Sequence, residues 1–368
     1  MTTAWDDDAA AGDPRDRILV LGTRYIGDTV LAIPFLRNLR RVFPEAVIHF
    51  HAEGAARRVL ADCPHLDGFR VRRRTRPGWR QTLVAVGLEA ASLRRTRYAR
   101  AYLLKSAPSA AVLARLAGIP VRIGFDRGLN RALLTTAVPL RAGRHQADLY
   151  LDLLRTDGLA VDDGHNEHWI SAESATRAED VLGELPVGRR VVFVAPCASD
   201  GRRNWPVERW ADTVRWLVTE RHCEIVFAGA PPDEPFHEAI RGGVSPAAAE
   251  HVHDFSSRLS LPETTALLAR SDACIGVDSG LPHVATACGV PVVKLFGATD
   301  PERWGIWRGA GAIVRSSCPT AREPLHGITV AAVRAAVSRV LDGRRIDRRH
   351  GAARQRSAPA VLLPAAAP

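Results

Sequence analysis

The sequence predicts an α/β protein of two domains, each a parallel sheet covered by helices on both faces. Three observations carry this. A chain of 368 residues exceeds what one hydrophobic core organises, and its 46% hydrophobic content suffices for two ordinary cores. Short apolar runs alternate with segments of helical periodicity, the mark of a parallel sheet with crossover helices. The alternation stops in a polar, glycine-containing stretch, Asp157 to Pro186, and then restarts.

The segment before Arg17 carries Asp6, Asp7 and Asp8 where a secretory signal would carry basic residues and then an apolar run. Residues 1–16 are therefore expected to be disordered and the protein cytoplasmic. Arg17 to Gly22 reads as the first strand. Thr29 to Phe43 places Val30, Ile33, Pro34, Leu36, Leu39, Val42 and Phe43 at helical spacing, with Pro34 tolerable only near the first turn. Strands are expected next at Ala46 to His51, Ala101 to Leu104 and Arg122 to Gly124, with helices at Arg80 to Arg95 and Ser109 to Ala117. This half, 17–160, is followed by a linker, 161–186. In the second half, 187–342, strands are expected at Arg189 to Ala195, Glu224 to Ala228, Ala273 to Val277 and Val292 to Phe296. Helices are expected between them at Val207 to Glu220, Asp233 to Arg241, Pro262 to Arg270 and Leu281 to Cys288, with a last one at Val330 to Leu341. The tail, 343–368, is basic and then Ala/Pro-rich, lacks apolar periodicity and is expected to be disordered.

Composition narrows the class. The longest apolar runs are of strand length, well short of the roughly 20 residues of a membrane-spanning helix. Six cysteines are scattered without a CxxC pair, so neither a zinc site nor a disulfide framework is expected. The formal charge of +10 is almost all arginine, since Lys105 and Lys294 are the only lysines. That balance admits phosphates, acidic sugars or a membrane surface as partners, including peripheral membrane association. Without a zinc-finger spacing or a basic-aromatic motif, nucleic acid is not an expected partner.

Four motifs sit where strands end, which is where open parallel sheets bind ligands. The first is Thr23 to Asp28: Asp28 is either a helix N-cap or a group placed for chemistry, and Gly27 allows a ligand close to the backbone. The second is Ala198 to Pro206, where small hydroxylated residues and Arg202 and Arg203 suit a diphosphate or form an exposed basic turn. In the third, Gly276 to His283, an Asp-Ser-Gly junction offers a helix N-terminus to a phosphate, and His283 is either a ligand or a core histidine. The fourth, Leu295 to Pro301, is a glycine-containing turn beside it in sequence. Neither GxxxxGK[ST] nor GxGxxG is present, which argues against a nucleoside triphosphatase and a dinucleotide-dependent dehydrogenase.

Taken in order, Gly27-Asp28, Arg203-Asn204-Trp205-Pro206 with Arg209-Trp210, Val277 to His283 and Leu295 to Pro301 resemble glycosyltransferase family 9. That family comprises heptosyltransferases that add ADP-activated heptose during lipopolysaccharide core assembly. The resemblance implies a GT-B fold, two Rossmann-like domains facing each other across a cleft. The N-terminal domain would take the acceptor and the C-terminal one the nucleotide sugar, with inversion at the anomeric carbon, no metal and no cofactor beyond the ADP-sugar. It implies Asp28 as catalytic base and Arg203, with Ser199, as the diphosphate contact. Asp233 and Leu259 would lie beside ribose and base, while Asp278, Ser279, Gly280 and His283 line the donor pocket. Gly27 and Lys105 (in Leu104-Lys105-Ser106) fall on the acceptor side, where Arg72 and Arg73 either bind an acidic lipid-linked sugar or solvate helix ends and loops. Ser279 stands where threonine is commoner and Arg203 where lysine is commoner; each keeps its hydroxyl or charge. The acceptor would be a lipopolysaccharide-core-like glycan or a small natural product. A non-hydrolysing sugar-nucleotide epimerase or a non-catalytic nucleotide-sugar-binding protein of the same fold are the alternatives. With base and donor motifs in different halves, productive geometry is expected to need domain closure about a hinge in Asp157 to Pro186.

Overall fold

The computed structural model describes residues 17–71, 79–349 and 361–362. The expected N-terminal disorder, Arg72 and Arg73, and most of the Ala/Pro-rich tail lie outside them. The chain divides into two compact units between His165 and Asn166.

Unit 1 holds strands β1 (Arg17–Leu21), β2 (Val47–Ala52), β3 (Gly68–Val71), β4 (Arg100–Leu103), β5 (Val121–Asp126) and β6 (Thr136–Pro139). They form one parallel sheet in the order β3-β2-β1-β4-β5-β6. The order reverses between β1 and β4, so their carboxyl ends flank the crevice where such sheets bind ligands. Every residue of β1 is buried, as expected of a central strand covered on both faces. One face packs Leu19, Leu21, Leu93, Tyr98, Leu103 and Leu113 into a core cluster.

Two local differences from the sequence-based expectation matter. The expected single helix Thr29 to Phe43 is two helices, Ile26–Leu31 and Ile33–Val42, broken at Ala32 because Pro34 has no N–H to continue the first one. The first helix also begins before Gly27-Asp28, so these residues lie in its first turn and not in a preceding loop.

Unit 2 opens with β7 (Trp169–Ile170) and repeats the plan with β8 (Arg190–Ala195), β9 (Cys223–Phe227), β10 (Val252–Asp254), β11 (Ala273–Val277), β12 (Val292–Phe296) and β13 (Gly311–Arg315). The six longer strands form a parallel sheet in the order β10-β9-β8-β11-β12-β13, with the switch point between β8 and β11. A two-residue β14 (Val361–Leu362) pairs parallel with β7. Trp205 and Trp210 sit edge to face at 5.1 Å, both fully buried, and anchor the cluster beneath the sheet.

The stretch expected to be a polar linker is ordered. Ser171 caps the helix Ala172–Gly183, accepting from Ser174 N at 3.2 Å, and that helix packs on Leu261–Arg270, where Arg270 pairs with Glu179 at 2.7 Å. Its small residues Ala175 and Ala178 carry the buried face, a pattern too weak to announce a helix from hydropathy alone. The last helix runs Val330–Arg349, beyond the expected end at Leu341, and packs on β11, β12 and β13.

Candidate active site

In unit 1 the helix after β1 carries Asp28 as its third residue. Its N-cap is Tyr25, whose side chain makes no cap bond, so the capping alternative for Asp28 does not describe this helix. Asp28 Oδ1 instead accepts a hydrogen bond from Tyr150 Oη at 3.2 Å. Tyr150 is 1% exposed, on the Gln146–Thr156 helix, an element that the apolar pattern of the sequence does not announce. A buried phenol donating to a carboxylate oxygen restricts the rotamer of that carboxylate. Lys105 follows β4 directly, and Leu104 N donates to Leu21 O at 3.0 Å, so Lys105 and the Gly27-Asp28 turn of helix flank the same switch point. Tyr150→Phe is expected to slow turnover about 2- to 10-fold, the worth of one hydrogen bond, with little change in melting temperature. Steady-state kinetics beside a thermal melt check it.

In unit 2 the loop after β8 is held shut by Asn204, whose Oδ1 accepts from Ala198 N at 2.8 Å, and by Trp205, whose Nε1 donates to Ile328 O at 3.0 Å. These anchors leave Arg203 to reach sideways. Its guanidinium donates to Ser199 Oγ at 3.0 Å and to Asp278 O at 3.3 Å, joining the loops that follow β8 and β11. Close approach there depends on Gly276, where a Cβ would stand 2.8 Å from Ala195 O and 2.7 Å from Pro282 Cγ. Arg203, Asp278, Gly297 and Thr299 line one small cavity. Ser279 is the N-cap of the Gly280–Ala287 helix and makes no side-chain cap bond; Gly280 and Leu281 carry the N–H groups that open this helix, and Pro282 carries none. Asp233 closes a turn after β9, accepting from Ala230 N at 2.9 Å, and Leu259, 8% exposed, lies in the loop after β10. All the expected donor-side residues thus follow carboxyl ends of one sheet.

The fourth motif divides. Asp300 caps the short helix Pro301–Trp304, accepting from Glu302 N at 2.9 Å, as a plain turn would have it. Thr299 faces Asp278, and its hydroxyl is among the groups that keep that carboxyl ionised.

Sequence reasoning missed the residue behind this pocket. Lys294 of β12 is 0% exposed, 3.3 Å from Asp278 Oδ1 and 3.0 Å from His283 Nε2. Burial would raise the Asp278 carboxyl, but the His283 ring and the Lys294 charge overcome it and hold it well below the usual carboxylate range. Burial, then Lys294, pushes His283 down to about 4, so the ring is neutral at neutral pH. His283 Nε2 thus lies between the Lys294 ammonium, at 3.0 Å, and Asp278 Oδ1, at 3.7 Å, as a buried ring behind the cavity lining. A second unpredicted cluster joins Cys197, 3.8 Å from His237 Nε2, to Asp254, 3.2 Å from His237 Nδ1. Burial, then Asp233, pushes the Cys197 thiol up to about 12, so it is held as the neutral thiol at neutral pH. Among the described residues no group of three or more His, Cys, Asp or Glu has the arrangement of a metal site, and no helix is long and apolar enough to cross a membrane.

Residues 89–324 match the family model described as Glycosyltransferase family 9 (heptosyltransferase). The chain is 25% identical over 314 residues to lipopolysaccharide heptosyltransferase 2 of Escherichia coli K12, covering 78% of this chain and 84% of that protein. It superposes on a family 9 glycosyl transferase from Veillonella parvula with a TM-score of 0.77, at 21% identity, over 89% of this chain and 98% of the other. Against the E. coli ADP-heptose lipopolysaccharide heptosyltransferase II structure the TM-score is 0.76, at 22% identity, over 89% and 99%.

Proposed function

This chain belongs to glycosyltransferase family 9, and from that premise we propose that it moves a heptose, or a closely related sugar, from an ADP-sugar to an acceptor hydroxyl of a lipopolysaccharide-core-like glycan. The reading is of an inverting transfer that needs no metal ion. In it, Asp28 takes the proton of the acceptor hydroxyl while that oxygen bonds to the anomeric carbon. The bond from that carbon to the diphosphate breaks on the opposite face, and ADP leaves with the electron pair. Arg203 and the first amides of the Gly280–Ala287 helix meet the charge that develops on it. Asp278 accepts hydrogen bonds from sugar hydroxyls, with Ser279, Gly280 and His283 around it; Ser199 orients Arg203, and Asp233 and Leu259 lie toward ribose and base. Gly27, Lys105, Arg72 and Arg73 are assigned to the acceptor side.

The observation that carries the reading is the Arg203 fork, which bonds at once to Ser199 and to the Asp278 carbonyl at the β8–β11 switch point. A cationic fork beside a helix start suits the two charged phosphates of an ADP-sugar, which supports the reading. Purified protein given ADP-heptose and a truncated lipopolysaccharide core tests it, with small hydroxylated natural products as a second acceptor set. A glycosidic product of inverted configuration is the expected outcome; isomerised donor, or binding without turnover, would overturn it. Excess chelator is expected to leave the rate unchanged, and activity lost in chelator and restored by magnesium would contradict the metal-free assignment.

A further inference from the structure

Lys294 sits in an interior strand of the unit 2 sheet, between β11 and β13, with its Cα opposite Gly276 and its side chain fully buried. Burying an ammonium is unfavourable, and a hydrophobe of similar volume in such a place commonly serves stability as well or better. Its contacts point to another purpose. All three ammonium protons have acceptors: Asp278 Oδ1 at 3.3 Å, His283 Nε2 at 3.0 Å and Trp304 O at 2.7 Å. These come from three separate segments, the end of β11, the Gly280–Ala287 helix and the segment after β12. The ring of Phe296 lies 4.9 Å from the nitrogen and completes the enclosure.

We infer that Lys294 is a positioning residue for the sugar-nucleotide pocket, fixing the Asp278 carboxylate, the tautomer of His283 and the segment that carries Thr299 in one arrangement. The inference rests on the donor-pocket reading of Asp278 given above and deepens it. Because Lys294 occupies His283 Nε2, the ring proton is confined to Nδ1. Because it pairs with Oδ1 of Asp278, it restricts the rotamer of that carboxylate, the group assigned to the sugar hydroxyls. The groups facing Lys294 are Asp278 and Cys274 from β11 and its end, His283 from the following helix, and the Trp304 carbonyl. Burial lowers Lys294 to about 8 against the opposing pull of Asp278. Above that pH the pocket loses the cation that orders it, so donor recognition weakens on the alkaline side.

The test compares wild type, Lys294→Met and Lys294→Arg by ADP-heptose titration, by KM and kcat from pH 6.5 to 9.5, and by nitrogen NMR of the histidine rings. Wild type should show kcat/KM falling above pH about 8 and a His283 signal of the Nδ1–H form. Lys294→Met should raise the KM for ADP-heptose about 10-fold, lose that alkaline fall and let the His283 tautomer shift. Lys294→Arg should keep the charge to higher pH and move the fall upward. A Lys294→Met protein that melts lower but keeps the wild-type KM, pH profile and ring signals would make Lys294 merely structural. If that variant does not fold, an unshifted alkaline limb in Lys294→Arg overturns the positioning role in the same way. Failure of the transfer reading is distinguishable, because it appears in wild type as no ADP-heptose binding, and the ring signals still decide the role of Lys294.

Discussion

Replacing Asp28 with Asn is expected to lower the transfer rate by about 100-fold or more while changing the dissociation constant for ADP-sugar by no more than about 2-fold. Asparagine keeps the shape and the bond to Tyr150 but cannot take a proton from the acceptor. The structure makes the variant a clean one. Asp28 lies in the first turn of the Ile26–Leu31 helix without serving as its cap, where its charge near the N-terminus contributes about 0.3–1 kcal/mol. The melting temperature should therefore fall slightly while turnover collapses. Rate and donor affinity measured on the same preparation separate the two roles. Near-normal turnover beside a lowered melting temperature would reduce Asp28 to a structural residue and leave the acceptor proton with no assigned base.

How far the sequence foretells this arrangement depends on burial. Strands β1, β8, β11 and β12 are almost wholly buried and read as apolar runs, even with Lys294 inside β12, so both sheets and the loops at their ends are legible. The edge strands are not. Gly311–Arg315 alternates between exposed and buried residues, and Thr136–Pro139 buries one residue of four, so neither stands out from a loop. The helix Gln146–Thr156 interleaves Asp148, Asp152 and Arg155 with its apolar residues, because those charges pair with one another and with Arg144. Tyr150 is hidden with it. Lys294 is invisible for a different reason, since its partners Asp278 and His283 are 16 and 11 positions away and meet it only through the β11–β12 register. Arg203 and Asp278 are legible because each follows a strand closely, although their mutual contact is not.

Replacing Arg203 with Ala is expected to lower kcat/KM for the ADP-sugar by about 100-fold to 1000-fold, split between a higher KM and a lower kcat. In the proposed transfer the diphosphate is present in the ground state, so losing the cation assigned to it should weaken binding; more negative charge gathers on it as the sugar departs, so the transition state should lose more. The loop itself should survive, because Asn204 Oδ1 with Ala198 N and Trp205 Nε1 with Ile328 O hold it independently of the guanidinium. Arg203→Lys separates charge from geometry. A lysine restores the positive charge but offers a point donor where the guanidinium spans Ser199 Oγ and Asp278 O together, so part of the KM should recover and less of the kcat. A rise in KM alone, with kcat untouched in the alanine variant, would mean that Arg203 binds the donor without assisting departure of ADP. If neither constant moves, the diphosphate is held elsewhere and the Ala198 to Pro206 loop is the exposed basic turn that its composition also allows.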